Sequence, residues 1–136
     1  MKKLRILLAD DSEQILRAIS RLLHADFDVV GSVLDGEQAV EATLRLQPDV
    51  LVLDILMPVM DGLEAARCLK RVGAPTKIVF LTGLEDHALM ETAMETGGHG
   101  YVFKSQLISD LPLAIPAAVA GRRFLSTESG SQGKDR

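Results

Sequence analysis

The chain has 136 residues, 47% of them hydrophobic, a net charge of −4 and one cysteine, Cys68. This size predicts a single globular domain that needs no disulfide or structural metal. The single cysteine cannot form an internal disulfide and predicts a reducing and therefore cytoplasmic location. The acidic charge argues against nucleic-acid binding by this domain, and no apolar run reaches the roughly 18 residues of a membrane span.

Short apolar runs alternate with amphipathic segments along the whole chain. The predicted strands cover residues 4–9, 28–33, 50–53, 77–81 and 100–103. The predicted helices cover about 12–25, 37–46, 63–72, 86–95 and 110–122. Such alternation predicts a doubly wound α/β fold, in which helices cover both faces of a five-stranded parallel sheet.

The third predicted strand, residues 50–53, is a continuous Val/Leu run bounded by Pro48 and Asp54. A run of this kind is typical of a strand that is buried on both faces in the middle of a parallel sheet. Ligands of such folds bind at the carboxyl ends of the strands. Asp54 therefore lies where a functional carboxylate is expected, although one aspartate can also simply end a strand.

The end of the chain carries two further signals. Pro112 is compatible with the first turn of the last helix, but Pro116 removes a backbone hydrogen bond and predicts a kink or a delayed start. Residues 126–136 are polar and predict a flexible tail or the start of a linker. We therefore expect a domain over residues 1–125.

Polar residues follow four of the five predicted strands. Asp10 and Asp11 follow the first, Asp54 the third, Thr82 the fourth and Lys104 the fifth. Because parallel strands end at one edge of the sheet, these side chains should meet there. Carboxylates so close raise each other's pKa unless a cation lies between them, and Mg²⁺ suits oxygen ligands. The pattern predicts a phosphoryl site in which Asp54 is the nucleophile and the metal and Lys104 neutralise charge.

Each of these residues also has an ordinary structural explanation. Asp11 could cap a helix, Thr82 could end a strand and Lys104 could be a solvated surface lysine. Their joint occurrence at four strand ends favours the functional explanation. By contrast, His24, His87 and His99 lack the spacing of metal ligands or proton relays, and surface positions are expected for all three.

The sequence resembles the receiver domain of bacterial two-component response regulators over about residues 3–125. The motifs that carry the resemblance are Leu-Ala-Asp-Asp-Ser at 8–12, Val-Leu-Asp-Ile-Leu-Met-Pro at 52–58, Asp-Gly at 61–62, Leu-Thr-Gly at 81–83 and Gly-Tyr-Val-Phe-Lys at 100–104. The resemblance implies the flavodoxin/CheY-like strand order 2-1-3-4-5. It also implies a phosphoacceptor protein, rather than an enzyme with a separate substrate, whose partner is a sensor histidine kinase.

The resemblance further implies individual roles for the residues at the strand ends. Asp54 accepts the phosphoryl group. Asp11, Asp54 and the backbone carbonyl of Leu56 bind Mg²⁺ directly, and Asp10 binds it through water. Thr82 and Lys104 contact the phosphoryl oxygens. Tyr101 is a switch aromatic that follows Thr82 and reshapes the face formed by helix 4, strand 5 and helix 5, which then binds a second copy or an output partner.

The end of the domain, Gly-Arg-Arg-Phe-Leu-Ser at 121–126, is similar to the NarL/LuxR branch, whose receivers precede a DNA-binding helix-turn-helix. A stand-alone receiver is the alternative. Ser105 replaces the proline that often follows the lysine, and Gly83 replaces a common alanine. Leu56 and Leu84 are apolar where such positions influence phosphoryl lifetime, so slow hydrolysis is expected.

Three other functions fit the same architecture less well. An aspartyl phosphatase would need a second carboxylate at position 56, where this chain has leucine. A flavin or nucleotide carrier would need a glycine-rich loop after the first strand. A phosphorylation-independent interaction module would be expected to have lost part of the acidic site, and no part is lost.

Overall fold

The computed structural model describes residues 2–127, and the predicted tail beyond Thr127 lies outside the described residues. Six parallel strands form one sheet in the order β2-β1-β3-β4-β5-β6. Their bounds are β1 Arg5–Ala9, β2 Asp28–Val33, β3 Val50–Asp54, β4 Lys77–Thr82, β5 Gly100–Phe103 and β6 Phe124–Leu125. The predicted fold class and the order of the first five strands are confirmed, whereas β6 was not predicted.

Five helices connect the strands: α1 Glu13–Leu23, α2 Gly36–Leu46, α3 Gly62–Arg71, α4 His87–Glu95 and α5 Leu107–Val119. The first four begin at a side chain that accepts a hydrogen bond from the first turn, which satisfies an otherwise unpaired N–H. These N-cap residues are Ser12, Asp35, Asp61 and Asp86. None of the helices among residues 2–127 is long and apolar enough to cross a membrane.

The core consists of two apolar layers, one on each face of the sheet. Alternate side chains along the strands point to opposite faces. Leu7 and Leu51 pack in one layer with side chains of α2, α3 and α4. Ile6 and Val52 pack in the other with side chains of α1 and α5. All five residues of β3 are buried, as the Val/Leu run predicts, so the strand that ends in Asp54 is the rigid centre of the molecule.

Helix α5 differs from its predicted form. It begins at Leu107, after a 3₁₀ turn over Lys104–Gln106, so Pro112 lies beyond the first turn. It continues without interruption through Pro116 to Val119. The face of α5 that packs on the sheet includes Leu111 and Ile115, both fully buried. Burial of this face outweighs the loss of hydrogen bonds at the prolines, which explains why the helix begins earlier than predicted and continues through Pro116.

The ordered chain also extends past the predicted boundary at residue 125. Phe124 and Leu125 pair with Gly100 and Tyr101 and make β6 the edge strand next to β5. Ser126 is buried, with 6% of its surface exposed, and its N–H donates to the carbonyl of Tyr101 at 2.9 Å. Ser126, the first residue of the predicted tail, is therefore hydrogen-bonded to the sheet, while the division into domain and linker stays a prediction.

His99 is half-buried rather than a surface residue. It precedes β5, and its Nδ1 accepts a hydrogen bond from the backbone N–H of Ile78 at 3.2 Å. The backbone N–H of His99 donates to the carbonyl of Ile78 at 2.8 Å. Burial lowers the pKa of His99 below 6.5, and the nearby charge of Lys77 lowers it further. The neutral imidazole is therefore the form that stabilises the start of β5.

Because the folded-state pKa of His99 is lowered, its contribution is present above pH 6.5 and is lost as the pH falls through the folded-state value. In His99→Asn the amide oxygen can replace Nδ1 as the acceptor but does not titrate. We expect the stability of the wild type relative to His99→Asn to fall by about 1 kcal/mol between pH 7.5 and pH 5. Urea unfolding measures the difference. The exposed His24→Asn is the control, and an equal pH dependence in both variants would contradict the assignment.

Candidate functional site

The strand register brings the predicted site residues to one edge of the sheet. Ala9 pairs with Leu53, so Asp10 and Asp54 follow at neighbouring positions of β1 and β3. Thr82 pairs with Phe103, so Lys104 follows β5 beside the end of β4. One carboxylate oxygen from each of Asp10, Asp11 and Asp54 lies within 4.8 Å of the other two. The parallel topology thus assembles residues that are far apart in the sequence.

Lys104 is the cation of this cluster. Its Nζ lies 2.9 Å from Asp10 Oδ2 and 3.3 Å from Asp54 Oδ2. Asp10 and Asp54 are almost fully buried, with 1% and 4% of their surfaces exposed. Burial lowers the pKa of Lys104, but the hydrogen bond to Asp10 and the charge of Asp54 outweigh it and raise the pKa overall. The ammonium therefore stays charged and neutralises part of the acidic cluster.

Asp54 carries the strongest electrostatic perturbation of the site. Its pKa is raised from 3.8 to about 6 because burial, followed by the charge of Asp10, raises it more than the charge and hydrogen bond of Lys104 lower it. One lysine does not compensate three carboxylates, two of them buried. A divalent cation with oxygen ligands fits this donor set. The residues that could hold it are Asp10, Asp11 and Asp54.

The loop after β3 is fixed to the site by its backbone. The N–H of Gly62 donates to the carbonyl of Ile55 at 2.7 Å. A Cβ atom at position 62 would lie 2.2 Å from the carbonyl oxygen of Asp54, so only glycine fits there. Asp61 caps α3 through Glu64 N at 2.9 Å. The Asp-Gly pair at 61–62, one of the motifs that carry the resemblance, therefore fixes the approach of α3 to the strand that carries Asp54.

Two apolar side chains flank the opening of the site. Leu56, on the loop after Asp54, is 59% exposed, and Leu84, on the loop after Thr82, is 48% exposed. The Thr82 hydroxyl is buried and accepts a hydrogen bond from Leu84 N at 3.0 Å. Thr82 is thus placed at the edge of the site with the oxygen of its side chain linked to the β4–α4 loop.

Tyr101 is completely buried in β5. Its ring meets Phe103 edge-on, with 6.0 Å between the ring centroids. Among residues 2–127 its hydroxyl makes no hydrogen bond of good geometry. Burial raises the pKa of Tyr101, while the Thr82 hydroxyl acts in the opposite direction. The buried Tyr101 hydroxyl lacks a hydrogen-bond partner of good geometry, so a movement of the Thr82 side chain can change the orientation of the tyrosine.

Comparison with known proteins gives the family context of this geometry. Residues 6–115 match the response regulator receiver domain. The chain is 39% identical over 127 residues to the uncharacterized transcriptional regulatory protein YvfU of Bacillus subtilis, covering 92% of this chain and 64% of that protein. It is 36% identical over 125 residues to the transcriptional regulatory protein DesR of the same species, covering 90% and 62%. The chain thus spans less than two thirds of the length of these relatives.

Solved structures agree with this similarity. A two-component response regulator of the LuxR family from Aurantimonas superposes with a TM-score of 0.87 at 31% identity, covering 92% of this chain and 91% of that one. The isolated receiver domain of RcsB from Salmonella enterica, solved with the phosphomimetic BeF₃⁻, superposes with a TM-score of 0.82 at 26% identity, covering 92% and 94%.

The raised pKa of Asp54 predicts that its carboxylate costs stability in the absence of a divalent cation. The folded state favours the protonated carboxyl. The stability that this preference contributes is complete below pH 3.8 and is lost as the pH rises through about 6, where the carboxyl ionises. We expect Asp54→Asn to be more stable than the wild type by about 1–3 kcal/mol near pH 7.5, and by about half as much near pH 5. Urea unfolding in EDTA measures both values.

Asp61→Asn is the matched control, because asparagine caps a helix as well as aspartate does. It should leave the stability nearly unchanged at both pH values. If Asp54→Asn proved less stable than the wild type at pH 7.5, the electrostatic account of the cluster would be wrong.

Proposed function

Because the chain belongs to the response regulator receiver domain family, we propose that it is a phosphorylation-controlled switch whose phosphoacceptor is Asp54. The observation that carries the proposal is the placement of the buried carboxylates of Asp54 and Asp10 within 3.3 Å of the ammonium of Lys104, at the carboxyl end of β3. A nucleophilic carboxylate, a neutralising cation and acidic metal ligands are the parts that phosphoryl transfer needs.

In the proposed reaction a carboxylate oxygen of Asp54 attacks the phosphorus of the donor. The new P–O bond makes an acyl phosphate, while the bond from phosphorus to the leaving group breaks and that group takes the electron pair. With a histidine kinase the leaving group is the imidazole of the phosphohistidine, which takes up a proton. Lys104 neutralises an oxygen of the transferring group, and the Thr82 hydroxyl donates a hydrogen bond to another.

Mg²⁺ is the proposed cofactor. Asp11 and Asp54, with the backbone carbonyl of Leu56, would hold it directly, and Asp10 would hold it through water. When bound, it supplies positive charge that offsets the crowding of the carboxylates and of the incoming phosphoryl oxygens. Among residues 2–127, Lys104 is the cation that lies close to two of these carboxylates, and its single charge supports the need for a second cation.

The proposed consequence is a two-state change in which Thr82 turns toward the phosphoryl group and Tyr101 follows. This change would reshape the face formed by α4, β5 and α5. A groove of about 360 Å³ lies there, bordered by α4, Phe103 and Leu125. We propose that this face binds a second copy of the chain or an output partner.

The relatives named as transcriptional regulators support an output in transcription, through a DNA-binding domain outside this sequence. The proposed partner is a sensor histidine kinase, in the cytoplasm, and the domain itself is not proposed to bind nucleic acid. A receiver that acts alone through protein contacts remains the second candidate for the output, since the acidic site would serve either.

Intact-mass spectrometry with a small phosphodonor, such as acetyl phosphate, tests the phosphoacceptor. We expect one phosphoryl adduct that requires Mg²⁺ and is absent in Asp54→Asn, because that side chain lacks the nucleophilic oxygen. Asp61→Asn, with a neighbouring carboxylate removed but its helix cap retained, should still form the adduct. An adduct in Asp54→Asn, or none in the wild type with any donor, would refute the proposal.

The lifetime of the adduct tests the proposed role of the flanking leucines. Neither Leu56 nor Leu84 can orient an attacking water, so the adduct should persist for minutes or longer. Leu56→Asn introduces a polar group and is expected to shorten the lifetime about tenfold or more. Val59→Asn, on the same loop and also exposed, is the control and should not change it. A lifetime of seconds in the wild type would contradict this assignment.

A further inference from the structure

The last described residues of the chain lie against the strand that leads to Lys104. β6 runs parallel to β5, with Leu125 paired to Tyr101. The Ser126 N–H extends this pairing by donating to the carbonyl of Tyr101 at 2.9 Å. The C-terminal end of the described chain is therefore part of the same sheet edge as the predicted switch tyrosine.

The hydroxyl of Ser126 connects β5 to α5. Its Oγ accepts a hydrogen bond from the backbone N–H of Phe103 at 3.1 Å and donates one to Asp110 Oδ2 at 2.6 Å. The buried hydroxyl of Ser126 therefore acts as both a hydrogen-bond acceptor and a donor. Without this hydroxyl the buried N–H of Phe103, the residue directly before Lys104, would lose its partner.

The turn that carries Lys104 is fixed from both sides by this segment. Phe103 precedes Lys104 and is bonded to Ser126. Gln106 follows it by two residues, and its Nε2 donates to the carbonyl of Thr127 at 2.8 Å. The 3₁₀ turn over Lys104–Gln106 and the start of α5 have no side-chain N-cap hydrogen bond of their own. The backbone beside Lys104 therefore depends on contacts with residues 126 and 127.

We propose that Ser126 is a positioning residue for Lys104, which fixes the end of β5 so that the ammonium reaches Asp10 and Asp54. Ser126 acts through the Phe103 N–H and Asp110 and touches no reacting atom. The inference rests on the proposed function, because it assigns Ser126 to the same phosphoryl site. It also couples the exit of the chain from the domain to that site, and such a coupling acts in both directions.

A double-mutant cycle separates positioning from a purely structural role. Ser126→Ala is expected to slow adduct formation with acetyl phosphate and Mg²⁺ about tenfold, as small misplacements of a reacting group do. Ser126→Thr, which keeps the hydroxyl, should restore most of the rate. In the Lys104→Ala background the same Ser126→Ala change should have no further effect, because the residue that Ser126 positions is gone.

Ser109→Ala is the matched control. The exposed Ser109 hydroxyl donates to Asp110 at 3.1 Å and to the carbonyl of Gln106 at 3.2 Å, but among residues 2–127 it makes no hydrogen bond to β5. It should leave the rate unchanged. If Ser126→Ala does not fold, as judged by circular dichroism, Gln106→Ala replaces it, since this change removes only the exposed bond to Thr127 and should slow the reaction about threefold.

Acetylation of Lys104 by acetic anhydride tests the positioning role of Ser126 without phosphoryl chemistry. Peptide mass spectrometry measures its rate. Release of Lys104 from its carboxylates in Ser126→Ala should raise this rate about threefold, as expected for an ammonium freed from an ion pair. If the wild type forms no adduct, the proposed function fails while acetylation still decides on Ser126. If Ser126→Ala changes neither rate, or slows adduct formation equally in the Lys104→Ala background, the positioning role is refuted.

Discussion

The structure depends on how like charges are accommodated at the carboxyl edge of a parallel sheet. Two of the carboxylates, Asp10 and Asp54, are buried at the ends of the neighbouring strands β1 and β3, and Lys104 lies within 3.3 Å of both. A cluster of this kind is costly without a ligand, as the raised pKa of Asp54 indicates. A core selected only for stability would not contain it, since buried ionic groups rarely increase stability over apolar ones. Its cost is explained if the site binds a cation and a phosphoryl group.

The rest of the fold positions this cluster. β3 is buried throughout and gives Asp54 a rigid base. Gly62 allows the loop after β3 to contact the carbonyl of Asp54, and β4 places Thr82 beside the end of β5. Residues 124–127 then close the edge of the sheet next to Lys104. In the proposed role of Ser126, a change in charge at the site would reach the C-terminal end of the described chain through Phe103 and Ser126.

The sequence predicted the features that follow from strand topology. The polar residues after four of the strands could be expected to meet, because parallel strands with right-handed connections end at one edge. It did not predict β6, since Phe124 and Leu125 are too few to show a strand period. The hydrogen bonds of His99 with Ile78 and of Ser126 with Phe103 join residues more than twenty positions apart, so no local sequence pattern predicts them. The continuous α5 also required knowledge of its buried face, which overrides the local effect of Pro116.

Thermal unfolding with Mg²⁺ and beryllofluoride tests most directly whether the acidic cluster is a phosphoryl site. Together these ions imitate a phosphoryl group on a carboxylate, and binding to the folded state raises its stability. We expect the Tm of the wild type to rise by several degrees when both are present, at about 4 °C per kcal/mol for a domain of this size, and the Tm of Asp54→Asn not to rise. An equal rise in both proteins, or none in the wild type at saturating concentrations, would contradict it.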